Sequence, residues 1–222
     1  MYSVLVQLIA LLISLFFVAN LASASPSTQA KISQFINNNE AYYNGFYQNL
    51  HQNPELSGAE KNTSAKVAEQ LRGLGLTVIE RIGGYGVVGV LENGPGPIGM
   101  LRADMDALPI QEETQLVYKS KVPGVMHACG HDLHTTLLIA LAKYFKENTA
   151  AWTGTLYFLA QPAEETVTGA KAMLDDGLFN KITKPHYALA IHADARNPVG
   201  TVGTHIADTL ASSDSVDIVF IG

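Results

Sequence analysis

The chain has 222 residues, 47% of them apolar and 15% charged, with a formal net charge of −6 and a single cysteine. Length and composition describe a globular chain with room for a sizeable core and exclude a fibrous or disordered one. The acidic balance, without any lysine- or arginine-rich run, argues against nucleic acid or an anionic membrane surface as partner.

Residues 1–24, "MYSVLVQLIALLISLFFVANLASA", hold no Asp, Glu, Lys or Arg. An apolar core from Val4 to Val18 followed by Ala22-Ser23-Ala24 predicts a cleaved signal peptide and an exported protein. An uncleaved membrane anchor is the alternative, and no later segment is long and apolar enough to span a bilayer. Exported proteins usually pair their cysteines, yet Cys129 has no partner thiol. It is either an inert buried thiol or a thiolate held by a metal.

After a short polar lead at 25–30, "KISQFINNNEAYYNGFYQNL" repeats apolar residues every three or four positions and predicts a surface helix. "NPEL" interrupts it. Ser57 and Glu60 then form a capping-box pattern ahead of a second helix reaching about Leu74, ended by Gly73 and Gly75. Short β-rich runs follow: "LTVIER", "GVVGVLE", "IGMLRAD", "TLYFLAQ", "YALAIHA" and, at the end, "VDIVFIG". Between them, 131–147 and 164–178 read as helices. The alternation predicts an α/β fold with a mixed, largely parallel sheet flanked by helices. Ending on a strand-like run rather than a polar tail suggests a chain cut short.

Ligands of open α/β sheets bind beyond the carboxyl ends of the strands. There the polar residues gather: Asp104 and Asp106 after one strand, Glu164 and Glu165 after another, His192 after a third. "MHACGHDLHTT" (126–136) adds three histidines and Cys129 where a loop enters a helix. Cys129 and His131 can converge on one ligand if the segment turns, which Gly130 permits. The helical alternative, His127 with His131, lacks the intervening Glu of a zincin helix. Adjacent carboxylates diverge, so Glu164 and Glu165 suit two jobs, one metal ligand and one general base, as metal-assisted hydrolysis requires. The pair also suits a plain helix start. Asp104 and Asp106 fit ligand, ligand-orienting or loop-capping roles, and His134 fits a capping or surface role. His51, His186 and His205 carry no independent signal. Neither a G-x-S-x-G elbow nor a phosphate loop is present, while a thiol hydrolase pairing Cys129 with His192 remains open.

Five ordered motifs now identify a resemblance: "LHQNPELSGAE" (50–60), "RADMDALPIQE" (102–112), "MHACGHDLHTT" (126–136), "FLAQPAEET" (158–166) and "IHADARNPVGTVGT" (191–204). Together they resemble the amidohydrolase branch of the aminoacylase/carboxypeptidase family of di-metal peptidases, which includes hippurate hydrolases, N-acyl-amino-acid amidohydrolases and indoleacetyl-amino-acid hydrolases. Gln52, where the family often has Arg, and Ala195, where Pro is common, depart from the pattern. The resemblance implies two divalent ions, zinc or manganese foremost, with cobalt or nickel as alternatives. It implies Cys129, His131, Glu165 and His192 as ligands and Glu164 as the base that activates a metal-bound water. Asp106 has a supporting role, with Asp104 and Asp132 behind the ligands. The implied substrate is an N-acyl amino acid, and the implied full-length form is a homodimer.

Family members are longer. By resemblance, 25–212 is part of a catalytic domain and 213–222 the start of a lid and dimerisation domain. The expectation is therefore a chain that binds metal weakly and turns over little substrate, or a truncated product that serves only as a metal- or partner-binding module.

Overall fold

The computed structural model describes residues 26–203. The expected signal peptide (1–24), the strand expected at 216–222 and the boundary expected at 213 lie outside the described residues.

Helix α1 (Pro26–Gln52) is longer than the sequence pattern suggests, because the polar lead forms its first turn. Its buried stripe is Ile32, Phe35, Ile36, Tyr43 and Leu50, the spacing of one helical face. Helix α2 (Lys61–Gly73) buries Val67, Ala68 and Leu71. It stops where Gly75 adopts φ +77° and the Leu76 N–H reaches back to the Leu71 carbonyl at 3.2 Å.

Strands β1 (Thr77–Ile82), β2 (Gly86–Asn93), β3 (Ile98–Asp104), β4 (Gly154–Gln161) and β5 (Tyr187–Ala190) form one sheet in the order β1-β2-β4-β3-β5. The sheet is mixed. β2 runs antiparallel to β1 and to β4, whereas β3 is parallel to both β4 and β5. The parallel half carries the chemistry, since its three strands point their carboxyl ends the same way.

Helix α3 (His131–Glu147) crosses between β3 and β4, and α4 (Gly169–Asp175) and α5 (Leu178–Lys181) follow β4. β4 is buried on both faces, as a strand between helical layers must be. Leu156, Phe158 and Ala160 join the core formed with α1, α2 and α3. Tyr157 and Leu159 pack with Met173, Leu178 and Ile182 on the other side. Among the described residues no helix is long and apolar enough to cross a membrane.

One expected helix is shorter than its sequence pattern. Residues 164–167 form a turn, and α4 begins only at Gly169. Ala163 (φ +49°) and Val167 (φ +57°) take left-handed backbone angles that a helix cannot continue through. The Ala163 carbonyl accepts the N–H groups of Thr168 and Gly169 instead. Glu164 and Glu165 therefore do not decorate a helix start.

Phe158 is fully buried in the central strand, opposite Gly89 of β2 and Leu101 of β3. Phe158→Ala should cost about 3–5 kcal/mol of stability, read as a lowered urea midpoint at unchanged denaturant slope.

Candidate metal centre

The parallel pairing of β3 with β4 sets Asp104 beside Gln161 at one edge of the sheet. β5 ends two residues before His192 at the same edge. Gly130 precedes α3 with φ +87°, and this left-handed turn folds Cys129 back over the helix start. A side chain at Gly130 would meet the Ala193 Cβ at 3.1 Å, so α3 and the His192 segment approach as closely as they do because residue 130 lacks one.

Asp106 joins the pieces. Its Oδ2 accepts the Ser57 hydroxyl at 2.6 Å and the Glu165 N–H at 2.9 Å, and its Oδ1 lies 3.2 Å from His131 Nδ1. Burial alone would raise the Asp106 pKa, but these donors overcome it and lower it to about 2. An ionised Asp106 takes the His131 proton on Nδ1, leaving Nε2 as a lone pair aimed the other way.

Among the described residues that Nε2 is closed off from solvent and has no hydrogen-bond partner, and neither has Glu165 Oε1. They face each other at 3.6 Å, with Glu164 Oε2 at 3.8 Å from the same nitrogen. On another side, Cys129 Sγ and His192 Nε2 are 3.3 Å apart. Three sets of donor atoms converge on His131 among the described residues: Cys129 with His192, Glu164 with Glu165, and Asp104 with His134, each set lying within 4.8 Å. Lone pairs facing lone pairs repel unless a proton or a cation lies between them. Burial would lower the His131 pKa, yet the bond to Asp106 and the charges of Asp104, Asp106 and Glu165 raise it. Burial, with Glu165, Glu164 and Asp104 nearby, pushes the Cys129 thiol up to about 12. The cluster thus calls for positive charge, and one thiolate with imidazoles and carboxylates is a donor set that suits zinc and its neighbours.

The other sequence candidates fall into different places. Asp104 and His134 pair with each other at 2.6 Å. Burial works against ionised Asp104, but His134, Arg102 and His131 together hold it well below the usual carboxylate range. His134 is buried, not the capping or surface residue the sequence suggests. Asp132 turns away from the donors: its Oδ2 meets His51 Nδ1 at 2.7 Å, and its Oδ1 accepts the Leu133 N–H. His127 is buried with neither ring nitrogen partnered among the described residues, and burial lowers its pKa to about 4.

Two site-building residues escape a sequence reading. Glu60 makes no capping contact; Ser57 bonds Asp106 instead. The buried Glu60 Oε1 accepts the N–H groups of Ala163 at 2.7 Å and Gly58 at 3.0 Å. It therefore holds the turn that carries Glu164 and Glu165. His51 is buried between Asp132 and Glu112, at 3.3 Å from the latter, and packs against Tyr47 and Tyr118. Its only sequence signal is its place in "LHQNPELSGAE".

Residues 100–219 match the family model for peptidase family M20/M25/M40. The chain belongs to that family. It is 48% identical over 178 residues to hippurate hydrolase of Campylobacter jejuni, covering 78% of this chain and 45% of the relative. It is 35% identical over 217 residues to the IAA-amino acid hydrolase ILR1-like 2 of Arabidopsis thaliana, covering 94% of this chain and 49% of the relative. Among solved structures, the Bacillus subtilis YXEP protein, a dinuclear metal-binding peptidase of the M20 family, superposes with a TM-score of 0.70 at 36% identity. That match covers 76% of this chain and 47% of the other. The chain spans about half the length of the curated relatives it matches. The fold is that of the M20 catalytic domain, and the family's members are hydrolases.

The His51 network makes a pH prediction. The bond to Asp132, against the opposing effect of burial, raises the His51 pKa in the folded chain, with Glu112 adding to it. Stability from this group is fully present below the unfolded value near 6.5 and is lost as pH rises through the higher folded value. His51→Asn should cost about 1–3 kcal/mol at pH 6, and the gap should narrow by pH 9. Urea unfolding in chelator-containing buffer at both pH values measures it.

Proposed function

We propose that this chain carries the metal-binding core of a hydrolase that cleaves the amide bond of N-acyl amino acids. The supporting observation is the unpartnered, buried His131 Nε2, with Glu164 and Glu165 on one side and the Cys129–His192 pair on the other. In this reading Cys129, His131, Glu165 and His192 hold two divalent ions, zinc or manganese foremost. When bound, the ions polarise the substrate carbonyl and make water more acidic.

The chain's own residues do the rest. Glu164 is the more open carboxylate, its side chain 39% exposed against 20% for Glu165, as suits a group that must exchange protons with substrate. It takes the proton from the attacking water and returns it to the departing amine. Glu60 and Asp106, through the N–H groups of Ala163 and Glu165, hold the turn on which the base sits. Asp106 also keeps the His131 proton on Nδ1, so that Nε2 remains a donor. The N-acyl amino acid class follows the names of the relatives, hippurate hydrolase and IAA-amino acid hydrolase. The charge-free segment 1–24 supports export by a signal peptide.

The thiol-hydrolase alternative fares worse. A thiol pushed up to about 12 among carboxylates is a poor nucleophile at neutral pH.

The test pairs metal analysis with hydrolysis of N-acetyl-, N-benzoyl- and indoleacetyl-amino acids. The chain is assayed alone and mixed with the C-terminal half of the Campylobacter relative. Glu164→Gln should lower kcat by about 10²–10⁴ at unchanged metal content, whereas Cys129→Ser should lower metal content itself. Metal-free protein whose turnover is abolished by a thiol reagent would overturn the reading. Stoichiometric metal without turnover in either setting would favour a binding module instead.

A further inference from the structure

His134 has both ring nitrogens committed, in opposite directions. Nδ1 lies 2.6 Å from Asp104 Oδ1, and Nε2 accepts the backbone N–H of Ala193 at 2.8 Å. A backbone N–H can only donate, so Nε2 carries a lone pair and the proton sits on Nδ1, where the carboxylate takes it. Asp104 is itself anchored. Its Oδ2 accepts Arg102 Nη1 at 2.7 Å, Arg102 Nε donates to Gln161 Oε1 at 3.0 Å, and the Thr135 hydroxyl donates to the Asp104 carbonyl at 2.9 Å. A continuous series of bonds therefore runs from the ends of β3 and β4, through a buried carboxylate and a buried imidazole, to the residue after His192.

The receiving end is in need of such an anchor. β5 stops at Ala190, and His192 is exposed. The residues beyond it, Asp194 to Asn197, bond to one another: Arg196 and Asn197 both donate to the Asp194 carboxylate. The rings of His134 and His192 are stacked edge-on, with centroids 4.8 Å apart. Gly130 leaves room for the approach, because a Cβ there would lie 3.1 Å from the Ala193 Cβ and 3.7 Å from His134 Nε2.

Asp104, His131 and His134 also fall within 4.8 Å of one another as potential donors. An ion held by His134 would have to displace its bond to Ala193 or to Asp104. Geometry assigns these groups to another task.

We propose that His134 is a positioning residue that clamps the His192 segment to α3 through the Ala193 N–H, fixing the His192 ring against Cys129 and His131. The consequence for metal rests on the metal-centre reading above; the clamp itself does not. Outer partners of this kind typically change metal affinity by about 10–100-fold.

The experiment reads the two apart. In metal-free protein, amide exchange measured residue by residue should show Ala193 protected relative to Asp194 and Arg196. His134→Asn keeps a donor toward Asp104 but withdraws the acceptor from Ala193. Its Ala193 exchange should accelerate at least tenfold, about the loss of one ordinary hydrogen bond, with far-UV circular dichroism unchanged. Zinc affinity by competition titration should fall about 10–100-fold in the same variant. His134→Gln, whose longer amide can reach Ala193, should recover much of both. An Ala193 amide in the unaltered protein that exchanges as fast as its neighbours sinks the clamp, without need of any variant. Accelerated exchange in His134→Asn with unchanged zinc affinity overturns its positioning role. A protected Ala193 in a protein that binds no zinc, cobalt or manganese removes the metal centre, and with it the purpose assigned to the clamp.

Discussion

The Asp106 carboxylate is where the separate parts of this site are tied together. Sitting just past β3, it bonds the Ser57 loop, the first residue of α3 and the turn carrying Glu165. It is almost wholly buried, so water cannot replace any of these partners. Bonds to an ionised acceptor are stronger than neutral ones, and here they hold three chain segments in mutual register. They also set which nitrogen of His131 faces the remaining donors. Fold and site chemistry meet in this one group.

Around it the balance of charge is uneven. Cys129, Asp104, Asp106, Glu164 and Glu165 gather at one sheet edge around the His131 imidazole, with the Arg102 guanidinium in contact with Asp104. Arg102 is already engaged with Asp104 and Gln161. A site so arranged favours a cation over an empty interior, and the orphaned atoms of His131 and Glu165 mark where one is wanted. The outer partners, Asp104 with His134 and Glu60 Oε1 with Ala163, hold ligand-bearing segments in place, although Glu60 Oε2 has no partner among the described residues. This division between donors left open and donors closed on one another is the site's main organising feature.

Much of this was legible in the sequence. Helix and strand periodicity place nearly every described element, and the strand-end rule brings Asp104, Glu164, Glu165 and His192 to one edge. The failures have a common form. Ser57 and Glu60 carry the spacing of a capping box, but both side chains are claimed by residues far along the chain. Glu164 and Glu165 look like a helix start, but Glu60 and Asp106 hold their backbone in a turn that ends before the helix begins. His134 looks like a surface position, yet Asp104 and Ala193 bury it. In each case a local pattern lost to a long-range bond made by a buried charged or aromatic polar group, whose alternative was to remain unpaired.

The sequence by itself determined most of the described elements, the α/β class with a mixed sheet and the family, because these follow from periodicity, turn chemistry and ordered motifs. Tertiary structure alone decided which donors stay open and which close on one another. The proton on His131 Nδ1, the inward turn of Glu60, the pairing of His51 with Asp132 and the reach of His134 to Ala193 join residues between 25 and 103 positions apart. No local preference encodes such partners. They are selected by the cost of leaving a buried polar group without one, and that cost exists only once the chain has folded around it.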